Sequence, residues 1–248
     1  MSSTDTVYTA RFQLPELVEK GRANVLRCPT YVDGARSAPA SGTVNLYNSN
    51  DSAVVSAAAV TVTGSEATYS LASATVADED LGLGWRVEWS LTMADGEVHT
   101  FRNEAALVLR RLYPPVSAID LYRLHPDLDP SATAPLVAAG ETHQDQLEEA
   151  WNQIQLRLIN RERRPNLILS PSAFRLAHLY GALELVFRNL STALNADGRF
   201  EALAELYGKK ADAAFREISF VYDTDDSGSA DASKRRSAAS SFWLGGLG

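Results

Sequence analysis

Residues 85–93, WRVEWSLTM, alternate without a break. Trp85, Val87, Trp89, Leu91 and Met93 fall on one side, and Arg86, Glu88, Ser90 and Thr92 on the other. Period two belongs to an extended strand with one face covered and one in water. Asp95-Gly96 follows as a turn signal. FRNEAALVL (101–109) then resumes the alternation through Phe101, Ala105, Leu107 and Leu109, which predicts an antiparallel hairpin. Further strand candidates are NVLRCPTY (24–31), TVNLYN (43–48), AVVSAAAVTV (53–62) and ATYSL (67–71). Asp33-Gly34, Ser41-Gly42, residues 48–51 and Gly64-Ser65 punctuate them, and ADEDLGLG (77–84) is expected as a loop with at most one helical turn. Short strands at this spacing, with no helix between them, favour a β-sandwich or small barrel. An antiparallel β-sandwich is the expectation for residues 1–113.

At Tyr113-Pro114-Pro115 the period changes. The prolines end the last strand and start a stiff connection. SAIDLYRL (117–124) predicts a short helix stopped by His125-Pro126. Between Glu141 and Arg164, Leu147, Trp151, Ile154 and Leu158 form an apolar stripe at helical spacing. Pro165-Asn166 breaks it. Ser170-Pro171 reads as an N-cap followed by proline at the first helical position, opening a helix lined by Phe174, Ala177, Tyr180, Leu183, Phe187 and Leu190. Asp197 is placed to cap a third helix, lined by Phe200, Leu203, Tyr207, Ala211, Ala214 and Ile218. Three such helices predict an antiparallel bundle over 117–222, followed by an extended segment over 223–248. The fold class is α+β.

Composition narrows the function more than the fold. The 248 residues carry a net charge of −8. Residues 1–116 hold 9 basic and 13 acidic side chains, and residues 117–248 hold 14 and 18, so the acidic excess is evenly shared. That balance disfavours tight binding to a nucleic-acid backbone, which calls for a basic face. Cys28 is the one cysteine, so neither an intramolecular disulfide nor a cysteine zinc cage can be built. The opening MSSTDTVYTARF lacks the apolar run of a secretory signal, and no stretch approaches the length of a membrane span. A cytosolic protein with no membrane partner is expected.

Candidate chemistry is sparse. His125-Pro126-Asp127 repeats the tripeptide by which J-domain co-chaperones stimulate their ATPase, but that motif works between paired helices near the start of a helical domain. Strands precede it here, and a helix stop at Pro126 is the better account. DTDDSGSADASK (223–234) places Asp223, Asp225, Ser227, Gly228 and Asp231 in the order of a calcium loop. Lys234 stands where that loop needs a bidentate glutamate, so an acidic solvated hinge is expected and no metal site. His99, His125, His143 and His178 show no metal-ligand spacing, with His178 expected inside the bundle. No phosphate loop, dinucleotide fingerprint or nucleophile elbow occurs. Cys28 in its strand reads as a small buried thiol. RERR (161–164) reads as cations complementing the end of the first long helix. No catalytic residue and no cofactor are assigned, and the chain is not expected to be an enzyme.

The end of the chain, KRRSAASSFWLGGLG, is unusual for a polar tail. Phe242, Trp243 and Leu244 supply apolar surface that a groove would bury, and Gly245, Gly246 and Gly248 permit a tight path. Lys234, Arg235 and Arg236 are placed to meet an acidic rim, with 237–241 as a tether. This reads as a docking peptide that orders on binding.

With these features, residues 117–248 resemble the head–tail adaptor proteins of tailed bacteriophages. The resemblance rests on a short helix after a proline-marked start (SAIDLYRLHPDL), a few long amphipathic helices, and a polar tail with terminal hydrophobic residues. It implies a homo-oligomeric ring, commonly twelvefold, between the portal protein and tail proteins. It implies a place in the neck of a virion assembled in the host cytoplasm. Phe242, Trp243 and Leu244 would anchor on the portal or a neighbouring subunit, while DNA passes through an acidic channel without specific binding. Small members of that family are almost wholly helical, so the N-terminal β-domain departs from the pattern. Another virion component, a tail-completion or baseplate protein, is the neighbouring alternative. A glycan- or peptide-binding β-domain is a second class, for which Trp85 and Trp89 sit on the wrong, inward face.

Overall fold

A computed structural model describes residues 7–138, 142–194, 198–224, 226–229 and the backbone of 235–237. The chain divides into two compact units, Met1–Arg111 and Leu112–Gly248. The content is α+β: strands come first, then helices.

Among the described residues of the first unit there are ten strands. They are β1 (Tyr8–Ala10), β2 (Glu16–Glu19), β3 (Asn24–Val32), β4 (Ala35–Arg36), β5 (Ser41–Tyr47), β6 (Ala53–Ala59), β7 (Thr61–Thr63), β8 (Glu66–Leu71), β9 (Gly82–Thr92) and β10 (Val98–Val108). One sheet runs β1-β3-β8-β7, with β4 paired to β3; the other runs β2-β10-β9-β5-β6. Inward side chains from both sheets form one core, including Leu26 and Cys28 of β3, Leu46 of β5, and Trp89 and Leu91 of β9. That shared core makes the pair of sheets a sandwich. The alternation of β9 is as the sequence predicts: Trp85, Val87, Trp89, Leu91 and Met93 are all at most 2% exposed. The hairpin to β10 closes at Gly96, whose φ of 85° suits glycine, while Asp95 Oδ1 accepts a hydrogen bond from the Glu97 amide at 2.9 Å.

The structure corrects four strand-level expectations. AVVSAAAVTV is two strands in different sheets, β6 in the second and β7 in the first. Ala57 takes a positive φ of 46° and donates its N–H to Asn45 Oδ1 at 2.7 Å, while the β5–β6 register shifts nearby. The bulge bends the strand and lets the chain change sheets. Secondly, β2 pairs parallel with β10, so the sandwich is not wholly antiparallel. Thirdly, the helical turn expected within 77–84 lies earlier, at Ser73–Val76, and β9 already begins at Gly82. Lastly, β10 does not keep its alternation: Ala106 and Val108 are buried along with Ala105 and Leu107, while Leu109 is only half-buried. Strands β1, β2 and β4, two to four residues each, are too short to show a period.

The second unit holds α1 (Ala118–Leu124), α2 (Gln144–Ile159), α3 (Arg175–Leu194), α4 (Arg199–Glu217), β11 (Ser219–Val221) and β12 (Arg235–Ser237). Asp120 accepts from the Ser117 amide at 3.0 Å and so closes a capping box at the start of α1. α1 stops at His125 and Pro126 opens a short 3-10 turn, the stop read from the sequence. Helices α3 and α4 run antiparallel, since Phe187 stacks on Phe200 near one end and Tyr180 meets Tyr207 nearer the other. The expected stripe of α2 is buried in full; in α3 Tyr180 is half-buried, and in α4 Leu203 and Ala214 are half-buried.

Local capping differs from expectation. Ser170 does not cap α3; its Oγ accepts from the Val221 amide at 2.9 Å, and a 3-10 turn, Pro171–Phe174, leads into the helix. Asp197 lies outside the described residues, and the position before α4 is Gly198, left-handed at φ 69°. RERR lies beyond α2 rather than in its last turn, because the helix ends at Ile159. Arg157 is the last-turn cation, and Arg161 sits 5.1 Å from the Phe215 ring.

Candidate docking surface

Two features of the helical unit lie side by side: a groove between α3 and α4, and the strand by which the chain returns to the bundle. The groove has a volume of about 490 Å³ and is lined by Ala173, Leu176, Ala177 and Tyr180 on one wall and Lys210, Ala213, Ala214 and Glu217 on the other, closing at Ile218 and Ser219. Such a volume is in the roughly 300–1,000 Å³ range of ligand-binding clefts. Its chemistry follows from sequence spacing. Residues 176, 177 and 180 share one face of α3, Ala173 joins them from the 3-10 turn before it, and 210, 213, 214 and 217 share one face of α4. Four alanines among these leave space that larger side chains would have filled. Leu176, 54% exposed, stands on the rim. Lys210 Nζ lies 5.6 Å from the Tyr180 ring and 5.2 Å from the Tyr207 ring, so this cation at the groove is held by aromatic faces.

Strand β12 pairs antiparallel with β11, with Ser219 opposite Ser237, Phe220 opposite Arg236 and Val221 opposite Arg235. Phe220 is fully buried and packs 5.5 Å from Phe174. Segment 167–169 pairs with the far side of β11: Leu169 N–H donates to Val221 at 3.0 Å and Asp223 N–H to Leu167 at 2.9 Å. Of the docking residues read from the sequence, Arg235 and Arg236 therefore have their backbones in a strand of the chain's own bundle. Lys234, Phe242, Trp243 and Leu244 lie outside the described residues. Ser237, read as the start of a tether, belongs to β12.

The remaining candidates resolve into supporting contacts. Asp223, 1% exposed, accepts from the Ser227 amide at 3.1 Å and the Gly228 amide at 2.6 Å, so its carboxylate closes a turn of its own loop. Asp225 and Asp231 lie outside the described residues. Among the described residues no group of three or more His, Cys, Asp or Glu side chains could hold a metal ion. His178 is fully buried; its Nε2 pairs with the Leu147 carbonyl at 2.9 Å, and burial lowers its pKa, so the ring is neutral and Nε2 carries the proton. His125 Nε2 meets the Tyr207 hydroxyl at 2.6 Å, and burial again lowers its pKa, with Arg199 and Lys210 adding to the effect. Cys28 is buried and its thiol is pushed up to about 12 by burial and by Glu66, which keeps it from acting as a nucleophile.

Sequence reasoning missed two sites. The groove was one, although Ala173 and Ala177, four residues apart, and the adjacent Ala213 and Ala214 of α4 were visible. The other is a polar cluster in the β unit. Arg111 Nη2 donates to Glu16 Oε1 at 3.4 Å and to Asn24 Oδ1 at 3.2 Å, and Asn24 Oδ1 also accepts from the Glu19 amide at 2.9 Å. Burial pushes the Glu16 carboxyl up to about 7, against the lowering influence of Arg111 and Arg27.

Comparison of the chain with protein-family models, with curated proteins and with solved structures finds no match. Among the described residues no helix is long and apolar enough to cross a membrane.

Proposed function

We propose that the chain is a structural virion protein of a tailed bacteriophage, a head–tail adaptor that forms a ring between the portal and the tail. The observation that carries this reading is the order of the helical unit: a short capped helix, three long helices, and a strand that returns to the bundle just ahead of Phe242, Trp243 and Leu244. That order is the one on which the adaptor resemblance rests. Symmetric association is the mechanism, with the terminal segment adding to adhesion on the portal or a neighbouring subunit. Ile119, Leu124 and Leu206 supply apolar surface for such contacts, at 60%, 48% and 44% exposed. The net charge of −8 suits a channel through which DNA slides. The β-sandwich is an added module, available to tail proteins.

The test is the solution mass by light scattering, for the full chain and for a chain lacking residues 241–248, each alone and with portal rings. Cutting at 241 rather than at 234 spares β12. A discrete ring is expected, or a monomer that joins portal rings only when 241–248 are present. A ring that ignores portal protein would shift the reading to a tail-completion or baseplate component. A monomer indifferent to both portal and truncation would overturn it.

A further inference from the structure

We infer that the groove between α3 and α4 is the resting site of the same molecule's own Phe242-Trp243-Leu244 segment. Direction is the first argument. Because β12 runs antiparallel to β11 with Ser237 opposite Ser219, the strand points at its Ser237 end toward the side of Ile218 and Glu217. Those three residues, Ser219 included, form one end of the groove. The last described backbone pairing therefore lies at the groove mouth.

Reach is the second argument. Phe242 follows Ser237 by five residues, about 17 Å when extended. The α4 wall from Lys210 to Glu217 spans about 10 Å of helix. The triplet thus falls over the groove rather than short of it. Shape is the third. Ala173, Ala177, Ala213 and Ala214 leave a hollow for large side chains, and Leu176 and Tyr180 offer apolar and aromatic rims. Phe242, Trp243 and Leu244 are the bulky apolar residues that the chain carries at that distance.

Docking in the same molecule gives the tail a stored state. In the adaptor reading, the segment must leave the groove before it can engage a portal or a neighbour, so assembly competes with self-docking. The inference shares only the terminal triplet with that reading. It is tested on the isolated chain, so either can fail alone.

The experiment is a paired-cysteine cross-link in the full chain. Leu176→Cys is combined with Gly245→Cys, leaving the buried native Cys28 in place, and oxidation is followed over a range of protein concentrations. A control pair joins Gly245→Cys to Glu201→Cys, near the opposite end of α4. The expected result is a monomeric cross-link at least tenfold faster than the control and independent of concentration. Adding Ala213→Gln, an exposed change that fills the hollow, should slow it several-fold. Cross-linked dimers whose yield rises with concentration would overturn self-docking in favour of a second copy as occupant. A rate equal to the control would overturn the groove as the site.

Discussion

Glu16 sits where β2 begins, with its carboxylate 3.4 Å from Arg111 and 19% of its side chain exposed. Burial raises its pKa from 4.5 to about 7, more than the nearby Arg111 and Arg27 cations lower it. Between those two values the unfolded chain has released the proton and the folded chain still holds it. Stability contributed by this group is therefore fully present below about 4.5 and is lost as pH rises through about 7. At roughly 1.4 kcal/mol per pKa unit, the shift corresponds to about 3 kcal/mol, an upper value given the remaining solvent contact. Glu16→Gln keeps the shape and removes the titration. Urea unfolding of both chains from pH 4.5 to 8 is the assay, read as the difference so that other titrating groups cancel. The two should match near pH 4.5, and the variant should gain up to about 3 kcal/mol by pH 8. A difference that stays constant with pH, or that turns against the variant as pH rises, would refute a raised carboxyl pKa and make Arg111 the dominant influence.

Gly42 is another position where geometry sets the sign. A Cβ there would meet Leu91 Cδ2 at 2.5 Å and the Ser90 carbonyl at 2.6 Å, so Gly42→Ala should part β5 from β9 and cost about 2 kcal/mol; an unchanged urea midpoint would show that the strands do not approach so closely. Tyr207→Phe removes the hydroxyl partner of His125 but keeps the stacking on Phe187, and should cost about 1 kcal/mol in chemical denaturation. Asp223→Ala leaves the Ser227 and Gly228 amides without their acceptor, with a cost of about 2 kcal/mol. Hydrogen exchange at those two amides should accelerate well beyond that of the bundle.

Much of this architecture was legible in the chain itself. Five inward residues from Trp85 to Met93 declare a half-covered strand, and Leu147, Trp151, Ile154 and Leu158 declare a helix face, because each period is set by the backbone geometry of one element. The stop at His125-Pro126 was equally local, since proline acts through its own ring and its predecessor. What covers each face was not legible. Hydrophobic burial has no direction, so the buried Val55 in AVVSAAAVTV does not say that the chain will change sheets at a bulge. Nor does ELVE announce a parallel partner almost ninety residues later, paired at Ala105 opposite Glu16. Ser170 looked like a cap because capping is a local preference, yet the amide of Val221, brought in by tertiary pairing, took its hydroxyl. The candidate site divides in the same way. Phe242, Trp243 and Leu244 stand out from their neighbours by composition alone, whereas the groove exists only because α3 and α4 pack antiparallel with their alanines facing each other across the gap.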